Sequence, residues 1–235
     1  MLLDSIECKN LCAIDIGCGN GLFTKIIAHK FKTILSIDIN KIRVDTFRKY
    51  CKENSINNVE VQQMNAYAID RADATFDAVL FFRSIDHIQD YKKVLREGKR
   101  ILKKNGLVYI NMADTRVSTP MIEVLDKFRA FEDNLYDVLE IGEGMCEVKK
   151  VDIDELEKEL ALLGFTIFRE EVNTNQNAQE YLQKIRAKAD ELLEKIKIEK
   201  NAFYNELRIE YERQLENVKM AGIDIRPILE IICYN

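Results

Sequence analysis

Residues Ala13 to Gly21 read Ala-Ile-Asp-Ile-Gly-Cys-Gly-Asn-Gly and close an apolar run that begins at Leu11. A run that short suits a strand buried on both faces better than a core helix. The glycines behind it mark a sharp turn, because the missing Cβ frees the backbone and lets a ligand approach closely. An amphipathic stretch from Leu22 to Phe31 follows, so the segment reads as strand, glycine turn and helix. The spacing also bears on what the turn binds. A dinucleotide loop runs Gly-x-Gly-x-x-Gly, with a pyrophosphate at the helix N-terminus. Here Leu22 occupies the place of that third glycine, and Gly21 comes one residue early. Asp15 adds a carboxylate at the strand end, where a pyrophosphate is disfavoured. The turn therefore suits a ligand that carries positive charge.

The same alternation continues along the chain. Apolar runs at 11–16, 33–37, 58–62, 76–82 and 106–112 predict strands, with helices near 21–30, 41–54 and 89–103. Strands alternating with helices imply a doubly wound parallel sheet. Beyond it, Pro120 opens a helix reaching about Leu139, and a loop with Gly142 and Gly144 follows. Asp152-Ile-Asp-Glu155 reads as a capping box for a helix that ends near Leu163, with Gly164 as its cap. Phe165 to Val172 and Ile228 to Tyr234 read as strands six and seven.

Several stretches carry a family resemblance. Thr33 to Ile37 ends in Asp38; Asn58-Val-Glu-Val-Gln-Gln-Met-Asn-Ala66 forms a third strand and turn; Phe76-Asp-Ala-Val-Leu-Phe-Phe82 precedes Ser84-Ile-Asp-His-Ile88. Arg100-Ile-Leu-Lys-Lys-Asn-Gly106 leads into Leu107-Val-Tyr-Ile110. With the glycine turn, these resemble the class I S-adenosylmethionine-dependent methyltransferases in order over roughly residues 10–172. The resemblance implies a seven-stranded, mostly parallel sheet whose strand seven is antiparallel, with S-adenosylmethionine as cofactor. It implies that Gly17 and Gly19 let the backbone pass close to the methionine part, with Cys18 and Gly21 completing the turn. Asp15 then orients the turn, or its waters, near the cofactor's amino group. Asp38 takes the ribose hydroxyls, Ile39 packs on adenine, and Asn65 and Ala66 read the adenine edge where the family usually has Asp-Ala. Phe82 lies beside the methionine part.

Strands six and seven are usually joined by a short turn in that family, but here about fifty residues intervene. Leu182, Ile185, Ala189, Leu192, Ile196, Phe203, Leu207, Tyr211, Leu215 and Val218 recur at helical spacing, and the stripe slips around Glu199-Lys200-Asn201. One helix of this length would be about 65 Å long at 1.5 Å per residue, so the span folds back, projects as a coiled coil or lies over the sheet edge. The expected organisation is a core of 1–172 and 223–235 with a helical insertion at 173–222. Only ten residues precede strand one, so a lid over the cofactor is expected from 113–150 or 173–222. Residues 178–220 are expected as a purely structural helical pair, as that cap, or as an arm pairing with a second copy in a homodimer.

Charge and composition narrow the partners. A net charge of -5 gives no global field for nucleic acid or anionic membrane, and a small-molecule acceptor is expected. Met1-Leu-Leu-Asp-Ser does not read as a signal peptide, and no apolar run reaches membrane-spanning length, so the cytoplasm is expected. Cys8, Cys12 and Cys18 fit no zinc spacing and read as buried, inert thiols; no metal is expected. His87, in the turn after strand four, is the candidate catalytic base, since its ordinary pKa suits proton removal from a hydroxyl or ammonium. The plainer reading is a histidine that packs the turn. His29, Arg83 and Arg116 read as surface residues, while Tyr109 and Asp114 flank the end of strand five, near the acceptor. Two rivals to methyl transfer stand: another reaction of the same cofactor, such as aminopropyl transfer or cofactor modification, and a binding protein that keeps the fold.

Overall fold

A computed structural model describes residues 2–139, 151–172, 178–222 and 226–235. The chain forms two compact units: Met1–Asp114 with Glu147–Val172 and Ile228–Asn235, and Thr115–Cys146 with Asn173–Pro227.

The first unit is built on seven strands: β1 (Cys12–Ile16), β2 (Thr33–Asp38), β3 (Val59–Gln63), β4 (Phe76–Phe82), β5 (Leu102–Ala113), β6 (Thr166–Val172) and β7 (Ile228–Tyr234). Their order in the sheet is β3-β2-β1-β4-β5-β7-β6. The pairs from β3 through β5 are parallel, whereas β7 runs antiparallel to both β5 and β6. This is the doubly wound sheet expected from the sequence, antiparallel strand seven included. The interior strands are apolar on both faces because each face is covered; Val79, Leu80 and Phe81 of β4 are all fully buried. The edge strand β6 instead carries Arg169, Glu170 and Glu171, charges that discourage pairing with another sheet.

The strand order reverses between β1 and β4, and ligands of open α/β sheets lie at the carboxyl ends of the strands beside such a reversal. The helices of this unit position that edge. The helix after the glycine turn is shorter than the periodicity predicts: α1 covers only Thr24–Ile27, followed by a 3-10 turn at Ala28–Lys30. Its lower end stops because Phe31 turns extended and goes into the core, while the Asn58 side-chain amide donates to the carbonyls of Ala28 and Phe31 at 2.7 and 3.0 Å. Helix α2 (Lys41–Glu53) starts at Asn40, whose side chain accepts from the N–H groups of Ile42 and Arg43. After α3 (Tyr91–Ile101) the sequence predicts a turn and then a strand from 106; instead β5 begins at Leu102. The register slips between Phe76 and Ala78, and Asn105 takes φ 61°, so the Lys-Asn-Gly stretch is a bulge within the strand.

The second unit contains α4 (Pro120–Val138), α6 (Ala178–Glu199) and α7 (Asn201–Ala221); α5 (Ile153–Leu162), capped by Asp152, belongs to the first. Gly164, at φ 84°, stands just past the end of α5. The long span folds back at Lys200, where the apolar stripe slips. Asp190 faces Arg208 at 3.8 Å and the Lys197 ammonium lies over the Tyr204 ring, so α6 and α7 run as an antiparallel hairpin. The stripe of this hairpin packs on α4: Phe128, Leu135, Leu192, Ile196 and Tyr211 are buried in one cluster. The helical unit is thus wider than 173–222, because α4 covers the apolar face that the sequence left open to a cap or a second copy. Phe203, placed in the stripe by periodicity, is exposed.

Candidate functional site

The glycine turn leaves β1 at the sheet reversal. Gly17 and Cys18 both donate N–H groups to the Ile37 carbonyl, at 2.8 and 3.0 Å, which pins the turn to the end of β2. The glycines serve different purposes. Gly21 takes φ 77°, and a Cβ there would lie 2.2 Å from the Phe47 ring of α2, so it lets the helix close on the turn. Gly19, at φ 55°, has no atom within 4 Å of its would-be Cβ and faces open space. Gly17 is packed instead against Ser84, whose hydroxyl donates to the Ile16 carbonyl at 2.7 Å.

Asp15 is buried beneath this turn. One carboxyl oxygen accepts from the Thr24 hydroxyl of α1, and the other, Oδ1, has no hydrogen-bond partner. Burial pushes its pKa up from 3.8 to about 7; the Thr24 bond works against the rise, and the charge of Asp38 adds to it. Asp38, at the end of β2, accepts the Gly19 N–H on one oxygen and the Asn40 N–H on the other, each at 2.8 Å. It joins the turn to the start of α2 while keeping lone pairs for further donors. Ile39 beside it is 65% exposed, an apolar surface at the rim.

The neighbouring strand ends complete the edge. Met64 donates its N–H to the Asp38 carbonyl at 3.0 Å, which brings Asn65 and Ala66 beside β2. Asn65 is exposed, and its side-chain oxygen accepts the Tyr67 N–H at 2.9 Å, so it shapes the turn before it meets any ligand. Phe82 is buried at the end of β4, stacked on Phe23 at 5.3 Å and tilted against Tyr109 at 5.2 Å. His87 ends a 3-10 turn, Ile85–His87, with its ring nitrogen 3.9 Å from a carboxyl oxygen of Asp86. Cys18 is largely enclosed, and burial raises its thiol far above the ordinary value, so it is no nucleophile. Among the described residues no three metal-ligating side chains come together, and no helix is long and apolar enough to cross a membrane.

Sequence reasoning missed Thr24, and it quoted Ser84 within a motif without reading its bond to the turn. Both are small hydroxyl residues, and neither has a spacing rule that would single out its role.

A family described as methyltransferase domain matches residues 14–110, which run from β1 into β5. Over those residues the chain is similar to methyltransferase domains, in agreement with the class I S-adenosylmethionine-dependent resemblance of its motifs. The ubiquinone biosynthesis O-methyltransferase of Pelagibacter ubique is 26% identical to this chain over 102 residues, 43% of this chain and 42% of that one. The chain spans less than two thirds of the length of the curated relatives it matches. The fold extends further than the sequence likeness. The YcgJ protein of Bacillus subtilis superimposes with a TM-score of 0.67 at 16% identity, covering 100% of this chain and 96% of that one. The cyclase SpnF does so with a TM-score of 0.66 at 15% identity, covering 97% and 75%. The residues at the methyltransferase edge fit S-adenosylmethionine, the cofactor of the domain. Asp15 Oδ1 is an acceptor without a donor, Gly19 leaves open space, and Asp38 retains acceptor capacity.

Proposed function

We propose that this protein transfers the methyl group of S-adenosylmethionine to a small-molecule acceptor. The observation that carries the reading is the joint placement, around one turn, of the partnerless Asp15 oxygen at the end of β1, the open side of Gly19 and the Asp38 carboxylate at the end of β2. The cofactor, when bound, supplies a methyl carbon on a positively charged sulfur, an excellent leaving group. The residues therefore have to align and to keep water out more than to activate. Asp15 faces the cofactor's amino group, and Gly17, Cys18, Gly19 and Gly21 give the turn that lets the methionine part lie against backbone. Asp38 accepts from the ribose hydroxyls, Ile39 covers one face of adenine, and Asn65 and Ala66 border its edge. Phe82 walls the methionine side. His87, in the 3-10 turn that follows β4, serves as base where the acceptor must lose a proton first. An overall charge of -5 supports a small molecule over nucleic acid, and five unpaired cysteines among the described residues support a reducing, cytoplasmic setting.

SpnF shows that the fold can belong to a protein named for another reaction, so fold alone does not fix the chemistry. The rival is an enzyme using the same cofactor for aminopropyl transfer or for its own modification. Calorimetry with S-adenosylmethionine, S-adenosylhomocysteine and NAD tests the site; both sulfur ligands should bind and NAD should not. Product mass spectrometry then separates the reactions, since only methyl transfer releases S-adenosylhomocysteine together with an acceptor heavier by one methylene. NAD binding without S-adenosylhomocysteine binding would overturn the reading.

A further inference from the structure

One buried polar cluster on the first unit has no part in the turn just described. Asn111 of β5 stands opposite Glu230 of β7, and its side-chain amide donates to Glu230 Oε1 at 3.4 Å. The other Glu230 oxygen accepts the backbone N–H of Leu2. Tyr109, two residues earlier on the same face of β5, is fully buried, and Asn111 and Glu230 are each 2% exposed. Tyr109 Oη and Asn111 Oδ1 make no hydrogen bond of good geometry, although the Tyr109 hydroxyl lies close to the side chains of Asn111 and Glu230. No cation pairs with Glu230 among the described residues. A buried carboxylate with no cation among the described residues, beside two polar atoms without a well-formed hydrogen bond, is an unfavourable arrangement for a core and a favourable one for a ligand.

The strand register ties this cluster to the methyltransferase edge. Phe82 stands opposite Asn111, and Asn111 opposite Glu230, so Glu230 is two strand steps from Phe82, about 10 Å at the usual spacing. Tyr109 also packs against the Phe82 ring. Burial, then the Glu230 charge, push the Tyr109 phenol well above its ordinary range against the opposing effect of the Asn111 side chain, so it remains a hydrogen-bonding hydroxyl.

We propose that Tyr109, Asn111 and Glu230 hold the nitrogen of an amine acceptor, which makes the protein an N-methylating enzyme; this rests on the methyl-transfer reading above. The argument is electrostatic. The lone pair of a neutral amine forms the nitrogen–carbon bond as the carbon–sulfur bond breaks, and the electron pair of that bond stays on sulfur. Positive charge passes from sulfur to nitrogen, where the Glu230 carboxylate has no cation partner among the described residues. The methylated nitrogen then loses a proton to solvent. A phenolate or carboxylate acceptor would bring negative charge to the same place and be repelled. Asn111 Oδ1 and Tyr109 Oη supply the partners for the N–H groups. An amine that reaches Glu230 takes the place of the Leu2 N–H, so the 3-10 turn Leu2–Ser5 moves aside.

The test uses the full chain saturated with S-adenosylhomocysteine, titrated by calorimetry with benzylamine and with benzyl alcohol. Benzylamine should bind at least tenfold more tightly, and Glu230→Gln should reduce the preference to within twofold while S-adenosylhomocysteine affinity holds. Should Glu230→Gln fail to fold, Tyr109→Phe keeps the ring and should weaken benzylamine threefold or more. Incubating the wild type with S-adenosylmethionine and an equimolar mixture of benzylamine, benzyl alcohol, catechol and benzoate should place the methyl group on nitrogen. Equal binding of the two probes, binding of neither, or methylation on oxygen overturns the proposal and leaves the cofactor reading intact. Failure to bind S-adenosylhomocysteine overturns both.

Discussion

Replacing Asp15 by Asn should stabilise the protein at neutral pH while impairing the site. Asp15 is 1% exposed, and its pKa rises from 3.8 to about 7 in the folded chain. In the unfolded chain the carboxyl ionises near the lower value, so between the two the folded state holds the extra proton. Stability then falls as pH rises through that window. The full difference corresponds to about 4 kcal/mol, at about 1.4 kcal/mol per pKa unit. Asparagine has nearly the same shape, and its amide oxygen can still accept from the Thr24 hydroxyl, but it never ionises. The stability difference between variant and wild type should therefore grow by about 4 kcal/mol in favour of the variant from pH 4 to pH 8. The chain has no tryptophan, so urea unfolding is best followed by far-ultraviolet circular dichroism at the two pH values. Affinity for S-adenosylmethionine should fall in the same variant, a stability gain offset by lost function. Parallel pH dependence in the two proteins would refute the reasoning, because it would mean that Asp15 ionises as easily folded as unfolded.

Asp38→Ala should weaken S-adenosylhomocysteine binding by about 1.5–3 kcal/mol, the scale of lost charge-assisted hydrogen bonds; calorimetric affinity within twofold of wild type contradicts this. Gly21→Ala meets the Phe47 ring at 2.2 Å at φ 77°, and should destabilise the fold by about 2–4 kcal/mol, measured by urea titration. Gly19→Ala, in open space, should keep most of its stability and lose S-adenosylhomocysteine affinity in calorimetry, which separates the packing glycine from the one proposed to face the ligand. Phe128→Ala removes a fully buried ring from the α4, α6 and α7 core and should destabilise that unit by about 3–5 kcal/mol, seen as lost amide protection in α6 and α7.

The sheet was legible because its interior strands are apolar on both faces, and runs such as Phe76 to Phe82 have no other stable use. The turn after β1 was legible because three closely spaced glycines behind an apolar run leave the backbone free to reverse there, as the positive φ of Gly17, Gly19 and Gly21 bears out. Less could be read where tertiary contacts override periodicity. Leu22 to Phe31 has a helical pattern, yet only Thr24–Ile27 is α-helical because Phe31 is drawn into the core. The stripe on α6 and α7 announced that something covers it without saying what. That cover, α4, lies some forty residues upstream with an ordinary amphipathic pattern of its own. Asn65 shows a subtler limit, since its side-chain oxygen is engaged by the Tyr67 N–H, a local bond that a family pattern does not reveal. Glu230 did leave a signal: an acid within Ile-Leu-Glu-Ile-Ile-Cys-Tyr sits where a strand buried on both faces should have none.

The place of β7 between β5 and β6 has a consequence for how the chain folds. Ala113 and Val172 are both in register with Ile228, so two strands wait for a third that follows them in sequence. Closing β5 onto β7 spans more than a hundred residues, although each doubling of loop length costs only about 0.6 kcal/mol. The thermodynamic burden is small, and the kinetic one is larger, since non-local pairing slows folding. Until β7 arrives, β5 presents an apolar edge to any other chain. The α6–α7 hairpin, whose contacts are local, can form well before that edge is covered. The slow step of folding should therefore be insertion of β7, and crowding during that interval should favour aggregation through β5.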